Sequence, residues 1–369
     1  MKIVVVGTRG IPNIMGGVET HCEQLYPRIA ALGHDVTVVR RSTYVTPDNR
    51  ISEYKGVKLL DLYTPRKKSF EAIIHTCLAV IRAKTLKPDV LHIHAIGPSI
   101  MVPFARLLGM KVVMTNHGPD YDRDKWGTLA KFVLKTGERF GSKFSNRVIV
   151  ISKTIADIVA TKYSRKDTDL IYNGVETPVK SKKHDYIDSL GLTPGKYIVA
   201  LGRFVKEKGF HDLIEAYSRL NNKDYALVIA GDADHEDDYS LSLKRMARDT
   251  EGVKLTGFIR GEKLNQIMTN AALFVLPSYH EGLPIALLEA LSYNLYVAVS
   301  DIPANRIDPL RESDFFKAGD VESLTRLLNS KLASLDAGNT ARRTYDLSPY
   351  DWDYIARQVE SLYKQIYHS

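Results

Sequence analysis

Short apolar runs alternate with longer amphipathic stretches along almost the whole chain. The runs at 2–7, 35–40, 57–62, 89–95, 111–117 and 147–152 predict strands, and helical spacing predicts helices at 18–32, 70–85 and 129–141. Pro27 predicts a kink in the first of these helices, since its ring removes an N–H and crowds the preceding turn. A further strand at 169–172 ends at Asn173-Gly174. The polar stretch 176–185, with Pro178, reads as a connection between domains. The alternation then restarts, with strands at 196–202, 225–232, 253–258, 273–278 and 296–301. Helices are expected at 209–220, 239–249, 261–270 and 285–291, and a last one at 352–367 after Ser348-Pro349. Strands and helices alternating in this way build parallel sheets covered on both faces. The expected fold is α/β, with two doubly wound parallel-sheet domains at 1–175 and 176–350 facing across a cleft. Ligands favour such a position.

Composition narrows the class. The 369 residues suffice for two domains, and 44% hydrophobic with 25% charged content suits a soluble globular chain. Two cysteines, Cys22 and Cys77, lack the spacing of a disulfide framework or zinc site, which suits a reducing cytoplasm. The run at 3–6 is too short for a secretory signal, and no segment reaches the ~18 apolar residues that span a bilayer. Lys and Arg outnumber Asp and Glu by 51 to 43, giving +8. That excess permits phosphate, nucleic acid or anionic lipid as partner and selects none. No basic motif interleaved with aromatics supports a nucleic-acid-binding protein.

The strongest chemical pattern lies at 278–289, Ser-Tyr-His-Glu-Gly-Leu-Pro-Ile-Ala-Leu-Leu-Glu. Glu281 is expected at the carboxyl end of a strand and Glu289 about two turns into the next helix. Two carboxylates there can grip sugar or ribose hydroxyls, and amides at the helix start can hold an anion. Taken alone, Glu281 also suits a helix-start charge and Glu289 a solvated helix face. The loop 202–209 brings Arg203 and Lys208 to another strand end. Arg can hold a phosphate bidentately and Lys acts as a point charge. Gly16 and Gly17 precede the first helix and allow close approach to its amino end, though the G-x-G-x-x-G register is absent. His92 and His94 share a strand face, and His117 ends the next strand. These histidines suit a polar acceptor site or a satisfied core better than a metal, for want of a nearby carboxylate. Asp232-Ala233-Asp234 has the D-x-D form of a metal pair, but it opens an acidic run before a helix, and Arg203 and Lys208 compete for the phosphates. No metal is assigned.

These residues together resemble the retaining nucleotide-sugar glycosyltransferases of family 4, which have the GT-B fold. The resemblance rests on GGVE at 16–19, GHDV at 33–36, DVLHIHA at 89–95, NHG at 116–118 and NGV at 173–175. In the second half it rests on GRFVKEKG at 202–209, LTGFIRGEKL at 255–264 and E-x7-E at 281–289. It implies that Gly16 and Gly17 face the donor diphosphate and that Arg203 and Lys208 bind it. Phe258, Ile259 and Arg260 would meet the base, and Glu289 the ribose. Glu281 with Gly282, Leu283, Pro284 and Ile285 would orient the donor sugar. His117 would approach the reacting carbon, with His94 beside it on the acceptor side. The catalytic set is then Arg203, Lys208, Glu281 and His117. By the same resemblance the first domain binds acceptor, the second binds the nucleotide sugar, and helix 352–367 returns to the first. Leu283-Pro284, where many relatives have Phe-Gly, and 302–305, where many have Gly-Gly and Glu, depart from the pattern and leave the donor open. The opening Gly7-Thr8-Arg9-Gly10-Ile11-Pro12 is similar to members that build bacterial surface polysaccharides.

The implied reaction moves a hexosyl or deoxyhexosyl group from a UDP-, dTDP- or GDP-linked donor to a hydroxyl of a glycan or lipid-linked acceptor, without a cofactor. A sugar-nucleotide epimerase of the same fold is the rival enzyme. The segment 125–147 is expected to dock on an anionic membrane from the cytoplasmic side. Lys131, Lys135, Arg139, Lys143 and Arg147 fall at four-residue steps beside Leu129, Phe132, Val133, Phe140 and Phe144, with Trp126 at the entry.

Overall fold

The computed structural model describes residues 1–64, 71–119, 121, 127–233, 236–338 and 343–368. The chain divides into two compact units, Met1–Gly174 with Pro349–Ser369, and Val175–Ser348. The first unit runs β1 (Lys2–Val6), α1 (Gly17–Ala31), β2 (Asp35–Arg41), β3 (Glu53–Tyr54), β4 (Val57–Leu62), α2 (Glu71–Leu86) and β5 (Val90–His94). It continues through α3 (Val102–Leu107), β6 (Val112–Asn116), α4 (Thr128–Phe144), β7 (Arg147–Val150), α5 (Lys153–Tyr163) and β8 (Asp169–Leu170). The second unit runs α6 (Asp185–Ser189), β9 (Tyr197–Leu201), α7 (Phe210–Ser218), β10 (Ala226–Ala230), α8 (Asp238–Asp249) and β11 (Val253–Gly257). It ends with α9 (Gly261–Asn270), β12 (Leu273–Leu276), α10 (Ile285–Ser292), β13 (Tyr296–Ser300), β14 (Phe315–Phe316) and α11 (Val321–Asp336). The last helix, α12 (Trp352–His368), belongs to the first unit.

The first sheet has the order β3-β4-β2-β1-β5-β6-β7-β8, parallel except for the short β3–β4 pair. The second has the order β11-β10-β9-β12-β13-β14, all parallel. Both are covered on two faces. Along β1, Ile3 and Val5 enter one core and Val4 and Val6 the other. Along β9, Ile198 and Ala200 face one side, and Tyr197, Val199 and Leu201 the other. This two-sided burial is why the strands read as continuous apolar runs rather than alternating ones.

Each sheet reverses its strand order at one point, β1/β5 in the first unit and β9/β12 in the second. At such a point the loops that follow the two strands diverge and leave a crevice. Gly209, at φ +65°, shows how closely the chain is drawn together there: a Cβ would stand 2.1 Å from the Pro277 carbonyl oxygen. Only glycine allows that approach.

The strand expected at 147–152 stops at Val150 because Ser152 caps α5, its hydroxyl accepting from Ile155 N at 3.4 Å. Helices α3, α5, α6 and α11 and strands β3 and β14 were not expected. In α11 the signal was present, with Asp320 capping Ser323 N and Leu324, Leu328 and Leu332 buried one turn apart. α1 runs through Pro27 as one helix. Among the described residues no helix is long and apolar enough to cross a membrane.

Candidate active site

In the second unit the loop 202–209 leaves β9 and is tied to its neighbours by backbone bonds. Phe204 N donates to Asp232 O at 3.0 Å, and Tyr279 N donates to Glu207 O at 2.8 Å. Lys208 Nζ then reaches Glu281 Oε1 at 2.5 Å, and Ser278 Oγ donates to the same oxygen at 2.7 Å. Both charged side chains are largely buried, so each compensates the other's desolvation. Ser300 Oγ donates to Ser278 O at 2.5 Å, and Asn305 Nδ2 donates to Ser300 O at 3.0 Å. The departing segment 302–305 is therefore wired to the strand end that carries Glu281. Arg203 lies half-buried on the same loop as Lys208.

Glu289 is partly exposed on α10, and its side-chain carboxyl has no hydrogen-bond or ion-pair partner among the described residues. Burial pushes its carboxyl up to about 7. A carboxylate left this way is suited to accept hydroxyl donors from a ligand. Leu283 and Pro284 are buried, Gly282 and Ile285 half-buried, and Pro284 caps α10. Pro284 has no N–H, so this helix start offers the amides of Ile285 and Ala286. Between β11 and α9, Phe258 is exposed with the Arg260 guanidinium 4.8 Å over its ring, and Ile259 packs into the core. Asp232 accepts from Lys244 Nζ at 3.0 Å, and Lys244 also holds Glu236 at 2.9 Å. Asp234 lies outside the described residues.

The first unit presents a different kind of site. Gly16 O accepts from Thr20 N at 2.9 Å, and Gly17 opens α1 on the exposed side. The buried Glu19 carboxylate, two residues on, accepts from Arg9 N at 3.0 Å and Thr8 Oγ1 at 3.2 Å, bracing the loop after β1. His117 is half-buried at the end of β6, its Nε2 2.9 Å from His94 Nδ1. His94 Nε2 meets the Tyr26 hydroxyl, which lies 2.9 Å from His92 Nδ1. His92 in turn contacts Tyr363 OH at 2.5 Å and Thr115 Oγ1 at 2.7 Å. His94 is fully buried and both its nitrogens are engaged. It stands behind His117 and holds it.

His21 also joins the cluster. Its Nδ1 is 2.9 Å from Asn173 Oδ1, and its ring meets those of His94, His117 and Trp352 at 5.0–5.5 Å. Burial lowers His21 to about 4 and keeps His92, His94 and His117 well below the usual histidine range, so all four are neutral near pH 7. His21, His94 and His117 bring one nitrogen each within 4.8 Å of the others. The His94–His117 hydrogen bond accounts for one of these approaches, and Asn173 holds His21 beside them. His21 and Tyr363 went unnoticed in the sequence because they come from α1 and α12, far from the His-x-His strand.

On α4, Leu129, Phe132 and Phe144 are exposed beside Lys135, Arg139 and Lys143. The helix ends at Phe144, so Arg147 does not extend its basic face. Arg147 begins β7 and pairs with Asp169, Nε to Oδ2 at 2.9 Å. Trp126 lies outside the described residues.

Two parallel-sheet α/β units of this construction define a GT-B fold. Residues 15–178 match the model of Glycosyltransferase Family 4, and residues 183–334 match that of Glycosyl transferases group 1. The chain belongs to the family 4 glycosyltransferases. It is 25% identical to the GDP-mannose:cellobiosyl-diphosphopolyprenol alpha-mannosyltransferase of Xanthomonas oryzae, covering 96% of this chain and 94% of that one. Its structure is similar to sucrose-phosphate synthase from Thermosynechococcus elongatus, with TM-score 0.82 and 21% identity over 100% of this chain and 99% of that one. Anabaena HepE in complex with UDP and glucose gives TM-score 0.79 at 16% identity, over 99% of this chain and 100% of that one. The protein is a glycosyltransferase.

Proposed function

We propose that this enzyme transfers a hexosyl or deoxyhexosyl group from a nucleoside-diphosphate sugar to a hydroxyl of a glycan or lipid-linked acceptor, with retention of configuration. The observation that carries the reading is the Ser278–Glu281–Lys208 cluster at the β9/β12 reversal, next to the helix that bears the unpartnered Glu289. An ammonium has three donors and Glu281 takes one, so Lys208 keeps two for diphosphate oxygens. Arg203 shares that task, Glu289 takes the ribose hydroxyls, and Phe258, Ile259 and Arg260 take the base. Glu281 with Gly282, Leu283, Pro284 and Ile285 orients the sugar. HepE's UDP and glucose, and the diphosphopolyprenol acceptor of the Xanthomonas enzyme, support this donor and acceptor chemistry.

The acceptor oxygen attacks the anomeric carbon on the face that the diphosphate leaves. The new C–O bond forms as the bond to the phosphate oxygen breaks, and the hydroxyl proton passes to that departing oxygen. The protein's part is positioning, with stabilisation of the leaving charge by Arg203 and Lys208. His117 lies on the acceptor side, and the basic, apolar face of α4 holds the first unit on an anionic cytoplasmic leaflet.

Incubation with UDP-, dTDP- and GDP-sugars plus polyprenyl-linked and free glycan acceptors, read by mass spectrometry and NMR, tests the reading. A coupled product with the donor's anomeric configuration is expected. Free sugar or an epimer alone would point to the rival enzyme.

A further inference from the structure

Glu138 sits on α4 with no exposed surface, and among the described residues no Lys or Arg pairs with it. A buried carboxylate is expensive unless every lone pair is met, and an apolar residue would stabilise the same space better. Glu138 is met by three donors and no cation. Asn116 Nδ2 donates to Oε1 at 3.2 Å, while Tyr121 OH and Tyr163 OH donate to Oε2 at 2.9 and 2.7 Å. Lys162 Nζ donates to the Tyr121 hydroxyl at 2.7 Å, so that hydroxyl's own proton is left for Glu138.

A carboxylate only accepts, so it dictates which way the Asn116 amide faces. With Nδ2 turned to Glu138, Oδ1 must point the other way. There it accepts Gly118 N–H at 2.9 Å, closing the turn in which β6 ends. His117 is the central residue of that turn. Its imidazole is held on the other side by His94.

We propose that Glu138 is a positioning residue: through Asn116 it sets the turn that aims the His117 ring at the acceptor. The inference rests on the reading of His117 given above. It explains why a charge is kept in the interior of a helix whose outer face has a separate task.

The test compares Glu138→Gln, Glu138→Ala, His117→Ala and the Glu138→Gln/His117→Ala pair, using the best donor from the UDP-, dTDP- and GDP-sugar panel. Gln keeps the shape but replaces an acceptor with a donor. Both Glu138 variants should lose about 10²-fold in kcat with little change in donor KM, the loss that misplacing a reacting group by about 1 Å produces. Amide hydrogen exchange should accelerate at Gly118 and leave the sheet unchanged. In the His117→Ala background, Glu138→Gln should lower kcat no further, because the two residues act through one ring. Full additivity, or unchanged Gly118 exchange with normal kcat, overturns the proposal. Normal kcat in His117→Ala would instead overturn the His117 reading, and the proposal with it. If Glu138→Ala does not fold, Tyr163→Phe removes one donor and should give a smaller kcat loss with the same exchange signature; its absence is equally decisive.

Discussion

The two units share one architecture and carry opposite electrostatics at their strand ends. In the second, the β9/β12 reversal gathers charge: Arg203, the Lys208–Glu281 pair and the uncompensated Glu289. In the first, the β1/β5 reversal gathers neutral rings: His92, His94, His117, Tyr26 and Tyr363 are joined by hydrogen bonds, and His21 packs its ring against His94 and His117. A charged site is matched to an ionic ligand such as a diphosphate. A neutral, hydrogen-bonded site instead offers fixed dipoles to an uncharged hydroxyl. The fold supplies the crevice in both cases, and the side chains decide the chemistry.

The sharpest way to break this contrast is pH, because the two sites respond with opposite sign. Histidines held below their unfolded value of 6.5 stay neutral in the folded chain while the unfolded chain takes up protons. The first unit should therefore be fully stabilised above pH 6.5 and lose stability as pH falls toward 4. His21 alone accounts for about 3 kcal/mol at the lower limit, and the other three act in the same direction. Hydrogen exchange read separately for each unit checks it. A first unit equally protected at pH 7 and pH 4.5 would contradict the neutral network.

The next largest effect belongs to the charged site. Arg203→Ala or Lys208→Ala should lose ~2–4 kcal/mol of transition-state stabilisation, the scale of one preorganised charge partner. Turnover near normal in both folded variants would remove them from the leaving-group role.

Glu289 gives a smaller and more specific readout. Its carboxyl, raised to about 7, destabilises the ligand-free fold as pH rises through the interval from the unfolded value to 7. Glu289→Gln should therefore stabilise the empty protein at pH 8, by about 1–3 kcal/mol, and not at pH 4. The same change should weaken bare nucleoside diphosphate, whereas Glu281→Gln should spare it and weaken the sugar nucleotide. Calorimetry with both ligands would expose equal losses in both variants, which the separate roles forbid.

Vesicle sedimentation tests the outer face of α4. Binding should rise with anionic lipid and fall with salt, and replacing Lys131, Lys135 and Arg139 by Glu should remove it, at about 1 kcal/mol per cation. Indifference to all three would leave α4 as a solvated helix. The smallest expected effect is that of EDTA, which should leave turnover unchanged. Complete loss restored by Mg²⁺ or Mn²⁺ would turn attention to Asp232 and Asp234.

Most strands and most long helices were legible because their hydrophobic period is local; α11, at 16 residues, is the exception. α9 spans the expected 261–270, and β4 the expected 57–62. Short elements such as β3 and α3 escaped, since a turn or two of chain carries too little periodicity. Glu281, Glu289, Arg203 and Lys208 were legible as candidates because they lie beside glycines and prolines that mark strand ends. Which of them would touch was not. The Lys208–Glu281 bond joins residues 73 positions apart, and only the shared register of β9 and β12 brings them together.

The amino-acid sequence by itself determined the alternation of elements, the two doubly wound sheets and the loops that carry charge, because hydrophobic period and turn residues act over a few neighbours. Tertiary structure alone decided that Tyr363 of α12 and Tyr26 of α1 meet His92 of β5, that Arg147 leaves α4's face for Asp169, and that Glu138 grips Asn116. Those contacts depend on how buried polar groups find partners once the sheets are stacked. Such pairing is a property of three-dimensional packing, with no periodicity along the chain to announce it.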